Sequence, residues 1–272
     1  MGMPHALVTR PARDAARWVR DLRARGIDAA PLPLIDIHAV REPHLIRALE
    51  RARAALGQFR AVMFVSGNAV EHFFELNQAP ALVSQAWAAI NTRAWAPGPG
   101  TQQALCAAGV PARCIDAPCA ATSAQFDSEA LWQVVAGQVR AGDRVLIVRG
   151  ATGPALEGGN GRGWLAARLA DAGAAVDFVA AYERGAPELD ACAQALARRA
   201  AADGSCCWLF SSSEAIGHLA RALPGQSWQA ARAIATHPRI ADAARAAGFG
   251  QVEECRPTLE DVAASIKSHH VV

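Results

Sequence analysis

Arg93-Ala94-Trp95-Ala96-Pro97-Gly98-Pro99-Gly100-Thr101, continuing through Ala104 to Ala107-Ala108-Gly109, has a counterpart in Arg232-Ala233-Ile234-Ala235-Thr236-His237-Pro238-Arg239-Ile240, continuing through Ala243 to Ala246-Ala247-Gly248. At a constant offset of 139 residues, Arg93, Ala94, Ala96, Pro99, Ala104, Ala107, Ala108 and Gly109 recur as Arg232, Ala233, Ala235, Pro238, Ala243, Ala246, Ala247 and Gly248. An alanine-rich chain produces some coincidences of this kind, but two further pairs of segments match in the same order. Phe64-Val65-Ser66-Gly67-Asn68-Ala69-Val70-Glu71-His72 aligns with Phe210-Ser211-Ser212-Ser213-Glu214-Ala215-Ile216-Gly217-His218 at an offset of 146. Val8, Arg10, Leu22 and Gly26 align with Val148, Arg149, Leu169 and Gly173. The chain therefore reads as two copies of one unit, each part of which is a short apolar run leading into a helical run. Two similar domains facing each other make a cleft, and functional residues are expected there.

The runs alternate regularly. Ala6 to Thr9 is apolar, and Pro11 opens a helical pattern in which Ala15, Trp18, Val19 and Leu22 share one face. Gly26 stands at the expected helix end, and Ile27 to Leu34 is extended again. Similar runs occupy Ala61 to Val65, Arg93 to Ala96, Arg144 to Val148, Val176 to Ala181, Cys206 to Phe210 and Arg232 to Ala235. Continuous apolar strands alternating with helices predict an α/β fold of parallel sheets flanked by helices on both faces. In such sheets ligands bind beyond the carboxyl ends of the strands, where loops enter helix N-termini. Proline and charge break the pattern at Asp36 to Pro43 and Glu183 to Pro187, the expected connections between domains. Gly158 to Gly163 contains a Gly-x-Gly-x-x-Ala spacing but does not follow directly on a strand, so it reads as a flexible loop rather than a dinucleotide site.

The length of 272 residues suits two ordinary domains, and a net charge of +2 gives no concentrated basic face for nucleic acid. No run approaches the ~18 to 20 apolar residues of a membrane span, and no signal segment is apparent, so a soluble cytoplasmic protein is expected. Seven cysteines without a Cys-x-x-Cys, and eight histidines without a ligand spacing, predict neither disulfide framework nor metal site. Most of the cysteines are expected in the core. Lys267 is the sole lysine among 27 basic residues, which fits codon bias and leaves arginines available for bidentate capture of carboxylates.

Ser66, Thr101 and Ser212 each stand between a strand and a helix, where they suit helix capping or anion binding, two compatible roles. Ser211-x-x-Glu214 and Thr258-x-x-Asp261 have the spacing of capping boxes. Arg10 and Arg149 follow equivalent strands and read either as carboxylate ligands or as solvated surface arginines.

The ordered set Leu7-Val8-Thr9-Arg10-Pro11, Gly26-Ile27-Asp28-Ala29-Ala30-Pro31-Leu32-Pro33-Leu34, Phe64 to Val70, Gly98-Pro99-Gly100-Thr101, Arg149-Gly150, Gly161-Arg162-x-Trp164-Leu165, Val179-Ala180-Ala181-Tyr182-Glu183-Arg184, Phe210 to Ser213 and Ile234 to Ala241 resembles the uroporphyrinogen-III synthase family along nearly the whole chain. The resemblance implies two similar α/β domains joined by a two-stranded linker: residues 1–36 with 187–272, and 42–181, with linkers 37–41 and 182–186. It implies a cofactor-free cyclisation of hydroxymethylbilane, with loss of water and inversion of the terminal pyrrole. It implies Tyr182, the only tyrosine, as hydrogen-bond donor to the leaving hydroxyl, with Thr101 beside it as the second catalytic candidate. Arg10, Ser66, Gly67, Asn68, Gly98, Pro99, Arg149, Gly150, Ser212, Ser213, Thr236 and Arg239 become candidates for holding the acetate and propionate arms. The loop Thr236-His237-Pro238-Arg239-Ile240 departs from the family pattern by lacking the hydroxyl expected opposite Thr101. The implied partner is the small-molecule substrate, with no nucleic acid or membrane. The chain is expected to be a monomer in transient contact with the preceding pathway enzyme. A non-catalytic two-domain tetrapyrrole- or solute-binding protein is the alternative.

Overall fold

The computed structural model describes residues 5–74, 80–119, 123, 125–152 and 160–268. In chain order its first elements are β1 (Ala6–Val8), α1 (Ala12–Arg23), β2 (Ala29–Pro31), β3 (Asp36–Ala39), α2 (Pro43–Ala54), β4 (Ala61–Phe64), α3 (Gly67–Phe73) and α4 (Pro80–Ala88). There follow β5 (Arg93–Trp95), α5 (Pro99–Ala107), β6 (Ile115–Asp116), α6 (Ser128–Val135), β7 (Arg144–Thr152), α7 (Asn160–Asp171) and β8 (Ala175–Gly185). The last are α8 (Ala191–Ala202), β9 (Cys207–Phe210), α9 (Ser213–Ala222), β10 (Arg232–Ala235), α10 (Pro238–Ala246), β11 (Gln251–Glu254) and α11 (Leu259–Ser268).

The chain forms two compact units, Met1–Asp36 with Gly185–Val272, and Ile37–Arg184. The first holds a sheet of order β11-β10-β9-β1-β2, the second a sheet of order β3-β8-β7-β4-β5-β6. Read from the same end, β2-β1-β9-β10-β11 corresponds to β8-β7-β4-β5-β6, so the two copies differ in where the chain enters them. In each unit the direction of winding reverses once, between β1 and β9 and between β7 and β4. All the strand pairs within these corresponding sets are parallel.

Apolar side chains leave both faces of each sheet. In the second unit Val62, Phe64, Leu146 and Val148 enter one core with Val70, Phe73 and Trp87. Their neighbours Ala61, Met63, Val145 and Ile147 enter another with Leu131, Val135, Leu165 and Leu169. In the first unit Ala6, Val8, Cys207, Leu209 and Ile234 pack on Ala15, Trp18, Val19 and Leu22 of α1 and on Val262 and Ile266 of α11. The periodicity of α1 thus identifies its buried face.

The repeated glycines terminate repeated helices. Gly26, Gly109, Gly173 and Gly248 all have positive φ, between 77° and 97°. Each closes the same pair of bonds: Gly109 N–H to Cys106 and Val110 N–H to Leu105 in one copy, Gly248 N–H to Arg245 and Phe249 N–H to Ala244 in the other. Gly26 with Ile27 and Gly173 with Ala174 repeat the pattern on α1 and α7, so the left-handed residue that reverses the chain recurs at every matched position.

Three expectations change. Asn160 to Gly163 lies within α7 instead of a loop, while Gly158 and Gly159 lie outside the described residues. Cys206 and Cys207 are buried, but Cys106, Cys119 and Cys192 are exposed, so most cysteines are not core residues. The Ser211-x-x-Glu214 box does not form, because α9 begins one residue later, with Ser212 at its cap position; Thr258 does cap α11 through the Asp261 N–H.

Gly109 and Gly248 separate conformational strain from crowding. A Cβ on Gly248 would meet nothing within 4 Å, whereas one on Gly109 would overlap the Pro80 carbonyl oxygen. Gly248→Ala should cost about 1 to 2 kcal/mol from the left-handed backbone alone, and Gly109→Ala distinctly more. Urea denaturation of the two variants measures the difference.

Candidate active site

The position of Tyr182 follows from an irregularity in the longest strand pair. β7 and β8 run in register from Arg144↔Ala175 to Arg149↔Ala180, and then Gly150 pairs with Tyr182, leaving Ala181 as an extra residue. A bulge of this kind turns successive side chains to one face. Val179, Ala181 and Tyr182 accordingly share one core, and the tyrosine is 2 % exposed. Gly150 makes room for the ring: a Cβ there would lie 2.5 Å from Tyr182 Cε2 and 2.7 Å from Cζ. The need for glycine at 150 is therefore steric.

The phenol meets the first turn of α3. Tyr182 Oη lies 3.1 Å from Ser66 Oγ, and Ser66 caps α3 by accepting from the Ala69 N–H. Both oxygens stand at the carboxyl ends of β4 and β8, beside the reversal between β7 and β4. Gly67 opens α3 close to α5, where its added Cβ would stand 3.6 Å from Ala104 Cβ and 3.9 Å from the Gly100 carbonyl. Gly67 and Asn68 supply first-turn N–H groups that have no acceptor within the helix.

At α5 the cap position belongs to Gly98, with Pro99 next. Thr101 stands two residues further on, buried in the first turn, so it does not cap the helix. Phe126 covers Gly98, with its Cβ 3.1 Å from where a glycine Cβ would stand.

In the first unit the corresponding reversal lies between β1 and β9. Thr9 donates its hydroxyl to the Leu209 carbonyl at 2.7 Å, tying the two strand ends together. Arg10 follows, its guanidinium 4.3 Å from the Trp18 ring centre and its Nε without a hydrogen-bond partner. Loss of hydration pushes its pKa down to about 10, with Asp14 opposing the shift; the group remains protonated at neutral pH. Ser212 and Ser213 open α9 without a side-chain capping bond. Thr236 is buried at the end of β10 and Arg239 is exposed on the first turn of α10. There His237 Nδ1 accepts from the Arg239 N–H at 3.1 Å, so this loop satisfies one of its own helix donors.

Arg149 stands at the register position of Arg10, since Ala6 pairs with Cys207 as Val145 pairs with Ala61 and each arginine follows four residues later, but it does not stand after its strand. It lies inside β7, where alternation places it on the face of Ile147 and Phe178, opposite Tyr182. It is 5 % exposed, its guanidinium stands 4.8 Å from the Phe178 ring centre, and loss of hydration lowers its pKa. The strand continues past it because the bulge lets β7 and β8 stay paired.

His72 was not singled out by sequence reasoning. Its ring stacks on Tyr182 with centres 5.8 Å apart and planes at 29°. Its repeat partner His218 donates from Nδ1 to the Leu34 carbonyl at 2.6 Å, since a carbonyl can only accept. The signal available was the recurrence of histidine at the same offset. Among the described residues no group of His, Cys, Asp and Glu is arranged to hold a metal ion.

The sequence matches the family of uroporphyrinogen-III synthase HemD over residues 16–264. No curated protein matches it in sequence. Among solved structures, a uroporphyrinogen-III synthetase from Helicobacter pylori is similar with 15 % identity and a TM-score of 0.57, covering 99 % of this chain and 100 % of that one. A mutant uroporphyrinogen III synthase from Thermus thermophilus is similar with 16 % identity and a TM-score of 0.55, covering 97 % of this chain and 98 % of that one. At such identities the likeness is one of fold.

The repeat-related serines should separate in stability. Ser66→Ala removes a capping bond and should cost about 0.5 to 2 kcal/mol, whereas Ser212→Ala removes no such bond and should be close to neutral. Thermal denaturation of the two variants checks the contrast.

Proposed function

We infer the division of labour in this site from one premise: the chain belongs to the uroporphyrinogen-III synthase family. It is a cyclising hydro-lyase that converts linear hydroxymethylbilane to uroporphyrinogen III, expelling the terminal hydroxyl as water and inverting the last pyrrole ring. Nothing supports the non-catalytic binding alternative. In water the same substrate closes without inversion, so the protein must hold geometry while it helps the hydroxyl to leave.

Tyr182 is proposed as the donor to that hydroxyl. The observation that carries the reading is the bond between its phenol and Ser66. Ser66 Oγ accepts from the Ala69 N–H, and in the proposed arrangement its own O–H donates to Tyr182 Oη. The phenol O–H is then directed outward to the substrate hydroxyl. As the C–O bond breaks, a proton moves from phenol to departing oxygen, water leaves, and the Ser66 O–H and the Ala69 N–H behind it offset the charge that develops on Tyr182. The electrophilic carbon left behind is attacked by the substituted carbon of the last ring, closure with inversion follows, and the proton that ring loses on closure restores the Tyr182 phenol.

The carboxylate arms are assigned to helix N-termini and to side chains that include Arg10. Gly98, Pro99 and Thr101 present the start of α5, and Ser212 and Ser213 that of α9, where free N–H groups and the helix dipole favour anions; at α10, whose first N–H groups are taken up by His237, Thr236 and Arg239 are assigned through their side chains. Gly67 and Asn68 contribute beside Ser66. Gly150 acts by admitting the Tyr182 ring, and Arg149, at the register position of Arg10, is assigned with it to a carboxylate arm. Because the substrate closes wrongly when left in water, transient contact with the enzyme that supplies it fits the chemistry. A cytoplasmic monomer is proposed; no helix among the described residues is long and apolar enough to cross a membrane.

Generating hydroxymethylbilane in situ and separating the product isomers tests the assignment. Tyr182→Phe should lower turnover by roughly 10²- to 10⁴-fold with folding intact, and Thr101→Ala should lose less. Wild-type turnover in Tyr182→Phe would reduce the tyrosine to packing. Arg10→Ala should raise KM more than it lowers kcat, as for contacts made equally in ground and transition states; an unchanged KM would remove Arg10 from the binding surface.

A further inference from the structure

We propose that His72 is a positioning residue for Tyr182: it holds the plane of the phenol so that the hydroxyl stays on its line through Ser66. The proposal rests on the reading of Tyr182 as the donor. A tyrosine ring fixed by its hydroxyl bond alone can still pivot about that bond. Gly150 defines one limit of the ring's position, since its missing Cβ would lie 2.5 Å from Cε2, and His72 stacks against the ring at 5.8 Å between centres. Ser66 and His72 are six residues apart on the same helix, ~9 Å along its axis. Both ends of α3 therefore contact one side chain, at its hydroxyl and at its ring.

The histidine is itself held. Arg53 on α2 donates from Nη2 to the His72 carbonyl at 2.8 Å and from Nε to the Phe73 carbonyl at 2.7 Å, so the C-terminal end of α3 is fixed independently of the tyrosine. The second copy of the repeat gives an independent observation. His218, six residues after Ser212 as His72 is after Ser66, fastens the Leu34 carbonyl. Leu34 follows β2, the counterpart of β8, so one helix position secures the same strand end in both units. In the first unit the secured group is backbone, and in the second it is the phenol.

Loss of the imidazole should act on the chemical step and leave binding alone. His72→Ala should lower kcat roughly 10- to 100-fold, the scale of a misplacement of about 1 Å, with KM unchanged. His72→Phe, which keeps an aromatic face, should recover most of the loss; His72→Leu, which fills the space without that face, should not. In a Tyr182→Phe background, His72→Ala should cause no further loss, because the two residues act as one unit. Equal losses in both backgrounds, failure of His72→Phe to recover turnover, or full recovery by His72→Leu would each overturn the proposal. Tyr182→Phe measured alone reports on the underlying reading: wild-type turnover there sinks the donor role, and the proposal with it. If His72→Ala does not fold, the Phe and Leu variants carry the same comparison.

Discussion

The atom that Gly150 lacks governs the second unit. Without a Cβ at that position, β7 can pair with β8 through a bulge at Ala181, and the register shift brings Tyr182 to the face already occupied by Val179 and Ala181. With a methyl group there, the ring would have to shift, because the nearest contact would be 2.5 Å. The phenol's bond to Ser66 and its stack on His72 both depend on that ring position. One backbone irregularity thus converts an ordinary parallel strand pair into a mount for a polar group in an apolar surround, where a hydrogen bond is strong and its loss costly.

The duplicated frame explains why the candidate groups collect at strand ends. Each sheet reverses its winding once, and at that reversal the loops from adjacent strands turn apart, leaving helix N-termini open beside it. Ser66 and Gly150 flank the reversal in one unit; Arg10 and Ser212 flank it in the other. Because the second copy is entered at a different strand, the chain leaves the first unit after β2 and returns through β8, which carries the tyrosine near its end.

Much of this was legible because it is local. The faces of α1, the glycines with positive φ and the prolines at the starts of α5 and α10 are fixed by residues within one helix or turn. What the sequence hid was long-range or short. β6 and β11 lie at sheet edges and are polar, as Ile115-Asp116 and Gln251-Val252-Glu253-Glu254, and charge on an edge discourages pairing with other chains. The bulge is set by pairing between strands and has no local signature, so nothing in the sequence marks that β7 runs on past Arg149 to Thr152 while β1 stops at Val8, before the equivalent Arg10. Thr101 has the residue type of a cap but stands three positions past the cap residue Gly98 of α5, and its burial reflects packing of the first turn.

The two copies have kept their geometry and divided their chemistry. Position 66 retains its serine as Ser212, yet only Ser66 makes a side-chain capping bond. Gly98 has become His237, whose ring takes up the Arg239 N–H, and Thr101 has become Ile240, so α10 satisfies internally a donor that α5 leaves open. The first unit offers instead the Arg10 guanidinium, held against Trp18 with its Nε unpartnered. An unmade hydrogen bond of that kind costs about 1 to 3 kcal/mol, more for a charged group, and an arriving carboxylate could recover part of it. On the reading proposed, Arg10 contributes charge that grips a carboxylate arm, and Tyr182 contributes the oriented hydroxyl that acts on the carbon–oxygen bond. Such a separation follows from the physics of the groups: a guanidinium tolerates partial desolvation while remaining charged, whereas a phenol donates usefully only when its direction is fixed by neighbours, and those neighbours surround Tyr182.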